Sequence, residues 1–290
     1  MRNLAKLVFV PAMGLGVGCG GQTEPPAIIC HNSNCVEPPD PERDDSPDAL
    51  RESLAAKDDA GQPIIDGMEM DLFLRGADNQ CVFAHDLNQA NPALAVDAAQ
   101  IVAEWLRNPP AKPTRSGGPY WVFLELKGQV GTAKTDVHTD AQRVLHAQCA
   151  LDVLGVLADG ARTGNVPLRV RFTSFSAELL TAVANALKTA AWVNGTDVSV
   201  GLGAIQGVLR PLDSGTRPLD DYPEDIGIDM VTVHAQWLRD STYQAYATRG
   251  WSVGLWMFSA TPETYDAIET FQPKWITTGE AKTFSRWLAR

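Results

Sequence analysis

The sequence predicts an α/β fold built as a single (β/α)8 TIM barrel, and three observations carry that prediction. Eight short β-type runs occur between Ala27 and Glu280, and helix-type runs fill most of the gaps between them. Most of the β-type runs are apolar over much of their length, as strands covered on both faces must be. No glycine-rich turn follows the first run, so an open doubly wound sheet, which favours such a turn, fits less well. "GLGAIQG" at 201–207 has the wrong spacing for a dinucleotide loop and falls in the fifth run.

The elements can be justified in order. Residues 1–19 read as a targeting segment: Arg2 and Lys6 are basic, an apolar stretch follows, and small residues precede Cys19. The stretch is too short to span a bilayer. "GVGC" resembles a bacterial lipoprotein cleavage site, although Leu15 stands one place too early for the usual leucine. The expectation is export, as a cell-envelope lipoprotein anchored through a lipidated Cys19 or as a secreted protein. Residues 20–26 are polar and proline-containing and read as a tether, leaving 27–290 as the barrel domain.

The β-type runs are 27–31, 67–74, 120–128, 166–175, 198–205, 228–237, 251–259 and 274–280. The first helix-type run, "SPDALRESLAAKDDAG", has Ser46 as N-cap, Pro47 at the first helical position and Gly61 as a stop. The proline- and aspartate-rich "EPPDPERDDSPD" before it reads as a loop. Further helix-type runs begin at Ala93, Thr139, Ser176, Ser241 and Thr261, and Gly250 ends the helix before the seventh strand. Export implies an oxidising compartment. Cys30, Cys35, Cys81 and Cys149 then allow three pairings; a Cys35–Cys81 bridge is favoured, because both residues are expected near one end of the fold.

Composition removes several functions. The formal net charge is −11, which opposes phosphate-backbone binding, so no nucleic acid partner is expected. No G-x-S-x-G, Walker loop or H-E-x-x-H occurs, which leaves serine hydrolase, P-loop and zincin chemistry unsupported. Oligomeric state is left open.

The stretch "GMEMDLFLRGADNQCVFAHD" (67–86) is the informative one. Strand side chains alternate, so Glu69 and Asp71 share a face, as do Glu125 and Lys127 in "FLELK". His31 ends the first run and His85 the return arm of a hairpin. Barrel enzymes place their chemistry at the carboxyl ends of the strands, which gathers His31, Asn32, Glu69, Asp71, His85, Glu125 and Lys127. Three carboxylates in an apolar mouth resist ionisation unless a cation neutralises them, and hard divalent cations prefer oxygen ligands. Two flanking histidines suit general acid–base work near neutral pH.

These motifs resemble glycerophosphodiester phosphodiesterases: the E-x-D followed by His-Asp, the third-strand "ELK", the "TSF" turn, and the closing "VGLWMFS" and "WITT" strands. The resemblance runs over about residues 27–290 in matching order and implies the wider superfamily of phospholipase-C-like phosphodiesterases, which are metal-dependent TIM barrels. The first motif departs from it. His31-Asn32 stands where those enzymes carry His-Arg, and is similar to the His-Asn of calcium-dependent phosphatidylinositol phospholipases C. The Pro-Glu-Asn-Thr helix start is also replaced. Carried over by position, His31 and His85 are the acid and base, Asn32, Glu69, Asp71 and Glu125 are metal ligands with calcium favoured over magnesium, and Lys127 contacts phosphate. The substrate expected is a glycerophosphodiester or a phospholipid head group. A phospholipase-D-like cyclising relative and a non-catalytic binding barrel are the alternatives. Arg171, turned inward beside Arg169, is a candidate for the missing phosphate-binding arginine. His234 and Trp256 are further candidates for touching substrate, and His138 and His146 read as surface residues around a helix.

Overall fold

The computed structural model describes residues 24–85, 89, 91–128, 138–190, 192, 194–206, 222–257 and 259–290. In chain order the elements are β1 (Ala27–Cys30), α1 (Pro47–Ala55), β2 (Gly67–Arg75), β3 (Gln80–Phe83), β4 (Ala93–Leu94), α2 (Ala95–Arg107), β5 (Tyr120–Lys127) and α3 (Asp140–Thr163). They continue as β6 (Leu168–Ser174), α4 (Ala177–Thr189), β7 (Val198–Gln206), β8 (Ile228–His234), α5 (Asp240–Thr248), β9 (Ser252–Met257), α6 (Pro262–Phe271), β10 (Trp275–Thr278) and α7 (Ala281–Leu288). All eight β-type runs form strands. They pair in parallel in the order β1-β10-β9-β8-β7-β6-β5-β2, and a β1–β2 pairing closes the ring. The expected (β/α)8 barrel is therefore the fold. The expectations on residues 1–23, Cys19 among them, and on Asp86 lie outside the described residues.

Local chemistry sets the helix starts. Ser46 accepts from the Ala49 N–H at 3.2 Å ahead of Pro47. Thr139 with Gln142 and Thr261 with Thr264 form capping boxes. Gly250 follows α5 with φ +74°, a conformation open to glycine at little cost. The expected stop at Gly61 is a correction, because α1 ends at Ala55. Gly61 instead serves a turn held by Asp58, whose Oδ1 accepts from the Ala60 and Gln62 N–H groups. The terminal helix α7 was not anticipated.

Inside the ring, Ile29, Phe123, Met230 and Trp275 form a small apolar layer with Trp121 against it. A Cβ on Gly254 would fall within the Trp275 indole, so the bare backbone of β9 makes room for that ring. A much larger core fills the space between strands and helices. The antiparallel arm β3 leaves the ring at Leu72↔Phe83 and carries the chain towards His85.

The disulfides are Cys30–Cys35 and Cys81–Cys149, which corrects the expected Cys35–Cys81 pair. After β1 the chain turns sharply, bringing the Cα of Cys35 within 5.6 Å of that of Cys30. Cys81 is on β3, to which α3 presents Cys149 with a Cα–Cα distance of 6.2 Å. The second bridge spans 68 residues and should constrain the unfolded chain by about 4 kcal/mol. A Cys81→Ser/Cys149→Ser variant is expected to lose stability of that order in urea titration, and an unchanged midpoint would contradict the bridge.

Candidate active site

Alternation along the strands builds the site. On β2, Met68, Met70 and Leu72 belong to the helix-facing core, so Gly67, Glu69 and Asp71 face into the barrel. On β5, Val122, Leu124 and Leu126 face outward, so Glu125 and Lys127 lie inward beyond Phe123. The register places Asp71 beside Glu125. Glu69, Asp71 and Glu125 each offer an oxygen, and these lie within 4.8 Å of one another. All three are buried, Asp71 completely. Lys127 Nζ is 2.9 Å from Asp71 Oδ2 and 2.6 Å from Glu125 Oε1.

The electrostatics follow from that burial. Loss of solvent raises the carboxyl pKa of Glu69, and the Glu125 and Asp71 charges raise it further. Burial likewise raises Asp71 and Glu125, against the opposing Lys127 charge. The Lys127 ammonium is held above its ordinary range, because the carboxylates outweigh its desolvation. With all three ionised, the carboxylates and the ammonium carry −3 + 1 = −2, the charge that one divalent cation neutralises. The buried Asp45 carboxyl beside Asp71 is raised well above its ordinary range by burial and the Asp71 charge.

The turn after β1 brings the first motif to this cluster. His31 begins a short 3-10 turn rather than ending the strand, a one-residue correction. Asn32 and Ser33 both take left-handed φ, 48° and 54°. The turn is pinned on several sides. Ser33 Oγ donates to the Glu69 carbonyl at 2.7 Å, Ser53 Oγ donates to the Ser33 carbonyl at 3.0 Å, and the Cys30–Cys35 bridge closes it. His31 Nε2 lies 3.7 Å from Glu69 Oε2, and the Asn32 N–H donates to the same oxygen at 3.4 Å. The Asn32 side chain donates through Nδ2 to Asp44 at 2.9 Å, leaving a buried Oδ1 without a hydrogen-bond partner among the described residues. Asp71 Oδ1 is in the same state. Buried, unsatisfied oxygens beside a doubly negative cluster fit an oxygen-ligated divalent cation.

His85 is exposed, and its backbone N–H donates to Gln89 Oε1 at 3.1 Å. It lies near enough to His31 and Glu125 to act on both electrostatically. Trp256 stacks on His31 with centroids 6.4 Å apart, and His234 meets that indole edge-on with centroids 4.3 Å apart. The Trp256 Nε1–H donates to the Gln206 carbonyl at 3.1 Å, which fixes the ring. Burial, then the Lys127 charge, push the His31 imidazole down to about 3. Burial pushes His234 down to about 4.

The structure therefore brings together His31, Asn32, Glu69, Asp71, His85, Glu125, Lys127, His234 and Trp256. Arg171 is placed elsewhere. It faces inward as expected, since Val170 and Phe172 belong to the outer core, but its guanidinium lies 5.5 Å from the Trp121 ring and 4.0 Å from Asp229. Trp121 precedes Phe123 on β5, so this pair sits on the amino-terminal side of the apolar layer, away from the carboxylates. His138 and His146 are corrections. Both are buried, with Nε2 atoms 3.3 Å and 3.0 Å from the Leu74 and Leu72 carbonyls where α3 packs on β2.

Four residues near the site were missed. Asp44 and Asp45, in the loop before α1, contact Asn32 and Asp71. Thr173 and Thr277 place buried hydroxyls, without hydrogen-bond partners among the described residues, on inward positions of β6 and β10. A threonine in a strand run is indistinguishable by type from one chosen for β-propensity.

Glu69→Gln should raise the metal-free Tm. It removes the buried carboxylate that Lys127 does not touch. Relief of roughly 1 kcal/mol would shift Tm by about 2–4 °C in a chain of this size. A lower metal-free Tm in calorimetry would contradict the repulsion.

The closed parallel barrel, with this cluster on its second and third strands, has the fold of the glycerophosphodiester phosphodiesterases, members of the phospholipase-C-like phosphodiesterase superfamily and a family of phosphoric diester hydrolases. Three solved structures make the likeness specific. A Silicibacter pomeroyi protein designated a glycerophosphoryl diester phosphodiesterase superposes with a TM-score of 0.63 at 15% identity, covering 93% of this chain and 95% of its own. A Galdieria sulphuraria protein designated a glycerophosphodiester phosphodiesterase gives 0.61 at 13%, covering 93% and 100%. An Oleispira antarctica phosphodiesterase, solved with the product sn-glycerol-3-phosphate, gives 0.58 at 11%, covering 91% and 97%. No protein-family model matches the sequence, and no curated protein matches it.

Proposed function

We propose that this chain is an exported, metal-dependent phosphoric diester hydrolase acting on a glycerophosphodiester. The observation that carries the reading is the convergence of Glu69, Asp71 and Glu125 within 4.8 Å at the barrel mouth, with His31 beside them. Glu69, Asp71, Glu125 and the Asn32 side-chain oxygen Oδ1 would hold the cation. Calcium is favoured because it accepts many oxygens, neutral ones included. The bound cation supplies charge stabilisation at phosphate oxygens.

The residues of the chain do the rest. His31, on the carboxylate side, takes the proton from the attacking water as oxygen bonds to phosphorus. His85, exposed to solvent, gives a proton to the alcohol oxygen as the ester P–O bond breaks. Lys127 keeps a positive charge at the mouth, where it neutralises the carboxylates and can meet a phosphate oxygen. Trp256 and His234 wall the site on the β8–β9 side and are the surfaces for the substrate's apolar part.

Glu24–Pro26 lies beside Gln272 and Pro273, ahead of β10, at the end of the barrel opposite the carboxylates. From Cys19 to Glu24 is five residue steps, at most about 18 Å when extended. A lipid on Cys19 would thus tether the barrel at its far end.

The His31-Asn32 pair favours a second reading, in which a hydroxyl beside the phosphoester attacks in place of water and a cyclic phosphate forms first. Phosphorus NMR on glycerophosphodiesters, lysophospholipids and phosphatidylinositol, each with calcium, magnesium or EDTA, tests both. A linear monoester from a glycerophosphodiester is the expected first product. A cyclic species preceding it would favour internal attack, and no turnover of any diester would reject the enzyme reading.

A further inference from the structure

The loop ahead of α1 carries two consecutive acids, and the structure gives them different places. Asp45 is fully buried and takes a left-handed φ of 51°. Its N–H donates to the Asn32 carbonyl at 2.9 Å, and its Oδ1 accepts from the Asp71 N–H at 3.2 Å. Gln89 Nε2 donates to the Asp44 and Asp45 carbonyls, each at 3.2 Å, while Gln89 Oε1 accepts from His85 N–H. Asp44 holds the side-chain amides of Asn32 and Asn34 at 2.9 and 2.8 Å. One residue is therefore bonded to the backbones of two of the carbonyl- and carboxylate-bearing positions at the mouth, and its own loop is tied to the His85 segment. Its second oxygen, Oδ2, is buried, and the Asp45 carboxyl lies beside that of Asp71, whose charge together with burial raises it well above its ordinary range.

We propose that Asp45 is a positioning residue of the cation site. It acts through Asp71 and Asn32, by fixing the backbone of β2 against the turn after β1. This rests on the reading that Glu69, Asp71, Glu125 and Asn32 hold a divalent cation. The argument is geometric. Asp71 and Asn32 reach the site from two different elements, and Asp45 bonds to both, beside the Ser33–Glu69 bond and the β1–β2 pairing that also hold the turn against β2. The Asp45 main chain bonds to one and its side chain to the other. Groups of this kind typically contribute about 10–100-fold to metal affinity without touching the metal.

The hydrogen-bond role and a charge role separate by substitution. Asp45→Asn keeps an acceptor for the Asp71 N–H and tolerates left-handed backbone. Asp45→Gly removes the acceptor but keeps the backbone conformation. Calcium and magnesium affinity of the full chain are measured by titration calorimetry, with metal-free thermal unfolding alongside. The expected result is a loss of about tenfold or more in Asp45→Gly and a change of no more than about threefold in Asp45→Asn.

Unchanged affinity in Asp45→Gly would overturn the positioning role. So would equal losses in both variants, which would make the carboxylate charge the operative property. If Asp45→Gly does not fold, Asp45→Ala takes its place as the acceptor-deleting variant, with the same expected loss relative to Asp45→Asn and the same overturning results. Absence of divalent-cation binding by the wild type is a separate failure, which removes the metal reading and this inference with it.

Discussion

His31→Ala and His85→Ala are each expected to lower phosphodiester turnover by about a hundredfold or more, the size of general acid–base effects. The two positions differ in surroundings, which makes the pair informative. His31 packs on Trp256 and lies 3.7 Å from Glu69, so its loss removes both a proton acceptor and part of the aromatic wall. His85 is exposed at the end of the hairpin arm, so its loss removes chemistry with little packing. Thermal unfolding should therefore shift little in His85→Ala, while kcat falls. The assay is initial-rate kinetics on bis-(p-nitrophenyl) phosphate with saturating calcium. Near wild-type kcat in either variant would reject its assignment.

Asp71→Asn is expected to weaken divalent-cation binding by about a hundredfold or more. It removes one of the charges on which a hard cation depends. Asp71 is the fully buried member of the cluster, next to Glu125 in register and 2.9 Å from Lys127. The substitution takes the site from a charge of −2 to −1, and it leaves Lys127 with Glu125 as its remaining near partner. Affinity should fall for calcium and magnesium alike in calorimetric titration. Unchanged affinity in Asp71→Asn, Glu69→Gln and Glu125→Gln together would remove the cation site.

Much of this was legible in the sequence because it depends on period. Two-residue alternation puts Glu69 with Asp71 and Glu125 with Lys127 whatever the rest of the chain does. Eight apolar runs separated by helical ones leave few topologies in which all can be buried. What depends on where a loop closes was not legible. The Cys30–Cys35 bridge follows from the left-handed turn at Asn32 and Ser33, and no local pattern announces it. Asp45 lies in an acidic, proline-rich stretch that reads as solvated loop, yet the return from that turn buries it against Asp71. His138 precedes α3 and His146 lies on it, and the sequence around them does not show which side packs against β2, where both imidazoles are buried. Arg171 was placed on the right face but at the wrong depth, since alternation fixes direction and says nothing about level along the barrel axis.

The most direct measurement is phosphorus NMR of a glycerophosphodiester such as sn-glycero-3-phosphocholine, incubated with the protein in calcium and, in parallel, in EDTA. Conversion to a phosphomonoester in calcium, abolished by EDTA and restored by added calcium, is the expected result. Equal conversion in EDTA would contradict a metal-dependent site at Glu69, Asp71 and Glu125. Calorimetrically confirmed calcium binding with no turnover of any diester would instead contradict the hydrolase reading and leave a barrel that holds the ion without the chemistry.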